Sequence, residues 1–350
     1  MRRALILARR GFARTAPNPM VGAVLVRDGT TVGEGWHAEF GAPHAEAAAL
    51  LVAGERARGA TAYVTLEPCT HQGQTPPCVP ALIAAGVVRV VFAAKDPNPV
   101  AGGGGEALRA AGIIVDAGLE ADAARELNAS FHHRYSSDRP FVTLKLAMSI
   151  DGAISDATRR PGRLTGELAF KAVHHLRAGH DAIAVGSNTA IVDDPQLTVR
   201  GGRRPRVPPR RIVFDRRCRL PAGSKLVRTA KRVPTTVVTA DPPPPVSKLL
   251  ESRGVTIVPA QTLPSALGAL KDQGVYSLLC EGGAALAGAF LEAGAVDRMV
   301  IFQAPVLLGA GGLYAFGYAP SQRLPDAPRW RIMDQERLGE DVMTTYALAP

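Results

Sequence analysis

Four residues in the first quarter of the chain have types and spacings that can do chemistry: His44, Glu46, Cys69 and Cys78. One histidine and two cysteines can give zinc three ligands and leave its fourth position to water. Glu46 follows His44 by two residues, in the tripeptide H-A-E at an expected helix start. Its carboxylate can therefore stand beside the metal's water without being a ligand. A bound zinc lowers the pKa of that water to about 7, and a neighbouring carboxylate can carry the proton to a leaving amine. A lone His or Cys is ordinarily just packed in place, and H-A-E alone is weak. The weight comes from the combination: H-A-E opens a helix, and the next strand ends in Glu67-Pro68-Cys69.

Zinc nucleobase deaminases use this arrangement, with the signature H-x-E…P-C-x-x-C. Here the second cysteine follows after the insert Thr70–Pro77, T-H-Q-G-Q-T-P-P, rather than after two residues.

The surrounding elements must place these residues. V-G-A-V-L-V (Val21–Val26) reads as a buried strand and Asp28-Gly29 as a hairpin turn. His44–Gly54 reads as an Ala-rich helix closed by glycine. Thr61–Leu66 reads as a strand, Val79–Gly86 as a helix and Val87–Ala94 as a strand. A Gly-rich loop then enters a short helix, followed by the strand I-I-V-D-A-G. Such alternation predicts an α/β domain. The polar segment His132–Pro140 is the expected boundary, giving domains 1–138 and 139–350. In the second half, Phe141–Ser149 reads as a strand and E-L-A-F-K-A-V-H-H-L-R-A-G as a helix closed by Gly179. D-A-I-A-V-G-S-N-T reads as a strand running into a turn. The strands R-I-V-F-D, T-T-V-V-T-A, V-T-I-V-P-A and S-L-L-C follow, with helices near Val246–Ser252 and Leu263–Gln273. E-G-G-A-A-L-A-G-A-F is a glycine turn opening a helix, and V-D-R-M-V-I-F-Q-A-P a late strand. Asp241–Pro245 reads as a stiff extended connector. Arg200–Arg219, with nine arginines, reads as a solvated or phosphate-facing loop.

Length and composition bound the answer. The 350 residues suit two domains. With 46% hydrophobic and 21% charged residues, the chain is not disordered throughout. Forty-one Lys and Arg against 31 Asp and Glu give a net charge of +10 and favour anionic partners. No apolar run approaches the ~18 residues of a membrane span. M-R-R-A-L-I-L-A-R-R-G-F reads as a short amphipathic helix rather than an export signal, so the expected compartment is the cytoplasm. Four cysteines make no disulfide framework there. Cys218 and Cys280 read as packing residues.

The run T-L-E-P-C-T-H-Q-G-Q-T-P-P-C resembles the deaminase half of the bifunctional riboflavin-biosynthesis deaminase/reductases. So do P-N-P-M-V-G-A-V-L-V, G-E-G-W-H and K-D-P-N-P-V-A-G-G-G. The resemblance continues through L-K-L-A-M-S-I-D-G, L-R-A-G-H-D-A-I-A-V-G-S-N-T, D-D-P-Q-L-T-V-R and E-G-G, covering nearly the whole chain in the family's order. It implies a cytidine-deaminase-like α/β/α domain followed by a dihydrofolate-reductase-like α/β domain. The implied substrate is a diaminopyrimidinone carrying ribosylamine 5′-phosphate. It loses its ring 2-amino group and then has its ribose reduced to ribityl with NADPH. By matching motif, His44, Cys69 and Cys78 hold zinc and Glu46 shuttles protons. Asn18, His37, Asp96 and Asn98 line the pyrimidine and ribose phosphate. Thr189, Asp193, Gly283, Ala284, Ala285, Leu286, Ala287, Gly288 and Ala289 meet NADPH. Arg177, Leu197, Arg200 and Glu281 meet the reductase substrate. A homo-oligomer, dimer or larger, is expected, with no membrane and no nucleic-acid partner.

The chain departs from the family at several places. Gln74 stands where the family usually has Lys or Arg. Ala153 replaces the usual Lys or Arg after S-x-D-G. In the loop Arg159–Gly166, Pro161 replaces a Ser and Arg163 a Trp. Arg159, Arg160 and Arg163 are candidates for contact with the cofactor's 2′-phosphate. Two other readings stay open. In one, the deaminase carries a non-catalytic C-terminal domain, which NADPH binding distinguishes. In the other, the chain is a nucleic-acid base deaminase, which a steep salt dependence of RNA affinity distinguishes.

Overall fold

Two sheets organise the computed structural model, which describes residues 1–160 and 162–348. Pro161 lies outside the described residues. The chain divides into the units Met1–Ser137 and Asp138–Pro350.

The first unit runs α1 (Arg2–Ala8), β1 (Gly22–Arg27), β2 (Thr30–Trp36), α2 (Ala45–Ala53), β3 (Thr61–Leu66), α3 (Cys78–Ala84), β4 (Arg89–Ala94), α4 (Gly104–Ala110), β5 (Ile114–Ala117), α5 (Ala121–Leu127) and α6 (Ala129–Ser136). Its sheet has the order β2-β1-β3-β4-β5. β1 pairs antiparallel with β2 and β3, and β3, β4 and β5 run parallel. Asp28 and Gly29 both have positive φ in the β1–β2 hairpin, as a turn that follows the strand twist requires. Alternating strand residues face opposite sides. Leu25, Val64 and Val90 meet α2, α3 and α4 in one core. Val24 meets α1, and Leu66 and Ala93 meet α5 and α6. The result is an α/β/α sandwich. The expected boundary segment is not wholly a linker, because residues 132–136 complete α6.

Glycines set how closely α2 lies on β2. A Cβ on Gly35 would sit 2.4 Å from both the Ala45 carbonyl oxygen and the Ala49 amide nitrogen. Both are backbone atoms and cannot swing aside. Gly35→Ala is expected to destabilise this unit by about 1–3 kcal/mol or more. It should also loosen metal binding, because His44 and Glu46 ride on the first turn of α2. Urea unfolding and zinc content after dialysis check this; wild-type values for both would show that α2 has room to move.

The second unit runs β6 (Phe141–Met148), β7 (Ala153–Ser155), α7 (Glu167–Ala178), β8 (Ala182–Gly186), α8 (Ser187–Val192), β9 (Arg210–Phe214), α9 (Lys225–Arg228), β10 (Thr235–Thr239), α10 (Pro244–Ser252), β11 (Val255–Pro259), α11 (Leu263–Asp272), β12 (Ser277–Cys280), α12 (Ala284–Glu292), β13 (Arg298–Gln303), β14 (Leu313–Tyr314), β15 (Trp330–Leu338) and β16 (Asp341–Leu348). The large sheet has the order β11-β10-β9-β8-β12-β6-β13-β16-β15. Its members are parallel up to β13, and β16 and β15 add antiparallel at the edge. β7 and β14 form a separate small pair. α11 and α12 pack in one core, and α8, α9 and α10 in another. α7 packs on β13.

Three expectations change here. Ser187-Asn188-Thr189 opens the helix α8 rather than a plain turn. Pro244 and Pro245 open α10 instead of forming an extended connector, since proline is tolerated in a helix's first turn. The arginine-rich stretch holds the strand β9, where Arg211 is 1% exposed. Its guanidinium donates to the Leu226 and Val233 carbonyls at 3.0 and 2.7 Å and to the Thr229 hydroxyl at 2.7 Å. That arginine is internal structure, not a phosphate contact. Cys218 and Cys280 are buried in the two cores, as packing residues would be.

Candidate active sites

In the first unit the parallel strands β3 and β4 end beside the starts of α2 and α3, where ligands gather in α/β sheets. His44 is the N-cap of α2, with extended backbone, so its ring leaves the helix axis. Cys69 follows β3, and Cys78 is the first residue of α3. The loop Thr70–Pro77 carries the chain out and back between them, so the wider cysteine spacing still closes on one point. His44 Nδ1 lies 3.5 Å from Cys69 Sγ and 3.3 Å from Cys78 Sγ. The ligand atoms of all three lie within 4.8 Å of one another. An N,S,S donor set of this size fits zinc with one position left open. The Cys78 amide donates to Cys69 Sγ at 3.4 Å. Shared hydrogen bonding lets the cysteine pair give up its first proton well below the ordinary thiol value, with His44 favouring the same thiolate. His44 is itself raised, chiefly by its bond to Cys69.

Glu46 is 5% exposed in the first turn of α2, beside Cys78. Burial first, and then the Cys69 thiolate, push its carboxyl up to about 7. It faces a cavity of about 250 Å³ lined also by Asn18, His37, Asp96 and Asn98. His37 is 2% exposed and both its ring nitrogens are engaged inside the protein. Nδ1–H donates to the Pro43 carbonyl at 3.2 Å, which leaves Nε2 to accept from Asn18 Nδ2 at 3.2 Å. That pattern aims the Asn18 amide and leaves His37 no nitrogen for a phosphate. Asp96 accepts from the Asn98 amide at 2.9 Å, and burial raises it to about 6.

The sequence reading missed two parts of this lining. Glu67 accepts from the Gly105 amide at 2.9 Å and the Asp96 amide at 3.3 Å, and so holds the Asp96 turn. Its place in E-P-C, just before a ligand, was the available signal. Phe131, Arg134 and Tyr135 of α6 close another side.

In the second unit a cleft of about 1030 Å³ runs across the ends of the parallel strands. Thr189, Asp193, Gly283, Ala284, Ala285, Leu286 and Ala289 line it. Gly283 caps α12 with φ +69°, and a Cβ there would sit 2.9 Å from Thr189 Oγ1. The Gly186 amide donates to the Gly282 carbonyl at 3.2 Å, tying the two turns together. Ala287 and Gly288 do not line the cleft. Ala287 is fully buried in the core, and a Cβ on Gly288 would meet the Tyr318 carbonyl oxygen at 2.4 Å. The helical period carries these two to the far face of α12.

Arg177, Leu197, Arg200 and Glu281 lie outside that lining. Arg177 donates twice to Glu281, at 2.5 and 2.7 Å, and to the Thr198 carbonyl at 2.9 Å. Burial pushes Glu281 up, but the Arg177 charge and hydrogen bonds outweigh it, so the carboxyl lies below its ordinary value. Lys145 of β6 adds to that effect, and its own value is lowered by burial. Lys145 sits inside L-K-L-A-M-S-I-D-G, where strand alternation alone hides its proximity to Glu281. Leu197 is a core residue at 2% exposure. The Arg200 amide donates to His174 Nδ1 at 2.9 Å.

Arg159, Arg160 and Arg163 all line the cleft. Arg163 lies 4.3 Å over the Phe170 ring and 3.1 Å from Glu167, so much of its charge is already spent. Arg216 and Arg219, beyond β9, line the cleft as well. Ala153 is fully buried on β7, a position where a small residue fits.

The model of the cytidine and deoxycytidylate deaminase zinc-binding region matches residues 1–94, and that of the RibD C-terminal domain matches residues 140–344. The riboflavin biosynthesis protein RibD of Aquifex aeolicus is 42% identical over 99% of this chain and 97% of its own. That of Escherichia coli is 41% identical over 98% and 96%. Among solved structures, Acinetobacter baumannii RibD (form 2) superposes with a TM-score of 0.86 at 39% identity, covering 99% of this chain and 97% of its own. A Thermotoga maritima protein described as a diaminohydroxyphosphoribosylaminopyrimidine deaminase/5-amino-6-(5-phosphoribosylamino)uracil reductase gives 0.87 at 34%, covering 100% and 97%. Both halves match in order and over almost their full length, so the chain belongs to the RibD family of riboflavin biosynthesis, with a zinc-binding deaminase domain followed by a reductase domain.

Proposed function

We propose that residues 1–138 remove the ring 2-amino group of 2,5-diamino-6-ribosylamino-4(3H)-pyrimidinone 5′-phosphate, and that residues 139–350 then reduce the ribosyl chain to ribityl. The observation that carries the first half is Glu46, buried beside the His44–Cys69–Cys78 cluster in the cavity that also holds Asn18 and Asp96. His44, Cys69 and Cys78 would hold zinc, which when bound would make a water nucleophilic at neutral pH. Glu46 takes a proton from the attacking water and passes it to the departing amine, which leaves as ammonia. Asn18, aimed by His37, and Asp96 with Asn98 read the ring and ribose edges. Glu67 holds the turn that carries Asp96.

The glycine cradle at Gly283 and Thr189 fits a dinucleotide phosphate, because a side chain there would fill it. NADPH, when bound, supplies the hydride for the sugar C1′. Arg216 and Arg219 add positive charge at the cleft. Glu281, with Arg177 and Lys145, borders the Gly282-Gly283 turn and orients the substrate's polar end. No helix among the described residues is long and apolar enough to cross a membrane. We place the enzyme in the cytoplasm, as a symmetric homo-oligomer of the kind common among metabolic enzymes.

One incubation tests both halves. Zinc-loaded protein is given the diaminopyrimidine substrate and NADPH, and ammonia and NADPH oxidation are followed together. They are expected to rise in near-equal amounts. A chelator should stop both, and the deaminated intermediate, supplied directly, should restore NADPH oxidation alone. Ammonia with flat NADPH would leave the C-terminal half a non-catalytic domain.

A further inference from the structure

The deaminase reading, on which this inference rests, requires the first cavity to accept a phosphate ester. Its walls are poorly charged for that task. Glu46, Glu67 and Asp96 all line it and repel an anion, and Gln74 on the loop between the cysteines carries no charge. Among the described lining residues, Arg134 is the one Lys or Arg.

The fold places Arg134 there by a specific device. Asn128, just before α6, accepts from the Met20 amide at 2.8 Å and donates to the Met20 carbonyl at 2.9 Å. This staples the start of α6 to the Pro17-Asn18-Pro19 turn. Phe131, Arg134 and Tyr135 then recur at the i, i+3, i+4 spacing of one helix face, and all three line the cavity. Phe131 packs on the core beneath Leu66 and Ala93. The Arg134 guanidinium lies 5.4 Å over the Tyr135 ring. His71 lines the same cavity, and its Nδ1 is buried with no hydrogen-bond partner.

We infer that Arg134 binds the 5′-phosphate of the deaminase substrate, supplying from α6 the charge that Gln74 does not supply from the cysteine loop. A guanidinium can meet two phosphate oxygens at once. The contact is remote from the reacting amine, so it holds substrate and transition state equally and appears in KM rather than kcat.

The test compares the phosphorylated substrate with its dephosphorylated riboside, using the full-length zinc-loaded enzyme. Arg134→Ala is expected to raise KM for the phosphate ester about 10- to 100-fold. Its kcat should stay within about twofold, and the riboside should change by less than about twofold. Arg134→Lys should retain part of the affinity, and adding Gln74→Lys to Arg134→Ala should restore part of it. Zinc content and NADPH oxidation with the deaminated intermediate report folding. If Arg134→Ala loses zinc, Arg134→Gln is measured in its place. Equal losses on the two substrates, or no loss on either, would overturn the assignment. Wild-type enzyme that releases no ammonia would instead remove the deaminase reading itself.

Discussion

Glu46→Gln is expected to lower ammonia release about 100- to 10,000-fold, the range that general acid–base groups contribute. Zinc content should stay at the wild-type level, because the cluster of His44, Cys69 and Cys78 takes no ligand atom from Glu46. NADPH oxidation with the deaminated intermediate should not change, because that cleft is lined by residues of the second unit alone. Glutamine keeps the shape of glutamate but cannot take up and release a proton. Glu46 is 5% exposed, so bulk water cannot easily take over the transfer. The decisive comparison is with Cys78→Ser, which should lose zinc and activity together. A glutamine variant that keeps full zinc and more than about a tenth of the activity would take Glu46 out of the proton path.

The zinc centre was legible because each member sits at the end of a local element. His44 and Glu46 share one helix start, Cys69 ends one strand's exit, and Cys78 opens one helix. Motif and hydrophobic period therefore singled out all four, and the fold brings the three donor atoms within 4.8 Å of one another. The α6 face was not legible in the same way. Its place in the cavity depends on Asn128 gripping Met20 across 108 residues, a contact that no local pattern encodes. His37 shows a subtler limit. Its presence was expected, but its task follows from two hydrogen bonds that consume both nitrogens.

The second unit was less legible, for physical reasons that differ by element. β15 has a largely exposed face pattern at the sheet edge, so its residues show neither strict alternation nor an apolar run. The strand β9 was expected from R-I-V-F-D, but the burial of Arg211 within it was not, because the arginines around it read as a solvated loop. Arg211 gains a buried place only because several backbone carbonyls converge on its guanidinium. Ala287 and Gly288 came with a motif, but helix geometry divides that motif between cleft and core.

Arg177→Ala is expected to destabilise the second unit by about 3–5 kcal/mol, the cost of leaving one member of a buried ion pair alone. Side-chain exposures of 11% for Arg177 and 9% for Glu281 justify that class of estimate over the much smaller one for surface pairs. For a unit of this size each kcal/mol is about 2–4 °C, so its melting transition should fall by about 6–20 °C. Loss of the arginine also orphans the Thr198 carbonyl next to Leu197. The pair has a pH signature. Glu281 is held below the ordinary glutamate value of 4.5, so its contribution is complete above that value and is lost as pH falls through the lower folded one. The stability gap between wild type and Arg177→Ala should therefore narrow in acid. A double variant separates stability from chemistry. Arg177→Met with Glu281→Leu replaces the pair by apolar side chains of similar size, which often restores much of the lost stability. If the pair only holds the fold, that variant should regain NADPH oxidation with its stability. If Glu281 orients the substrate, as proposed, the variant will melt near the wild-type temperature and still fail to reduce.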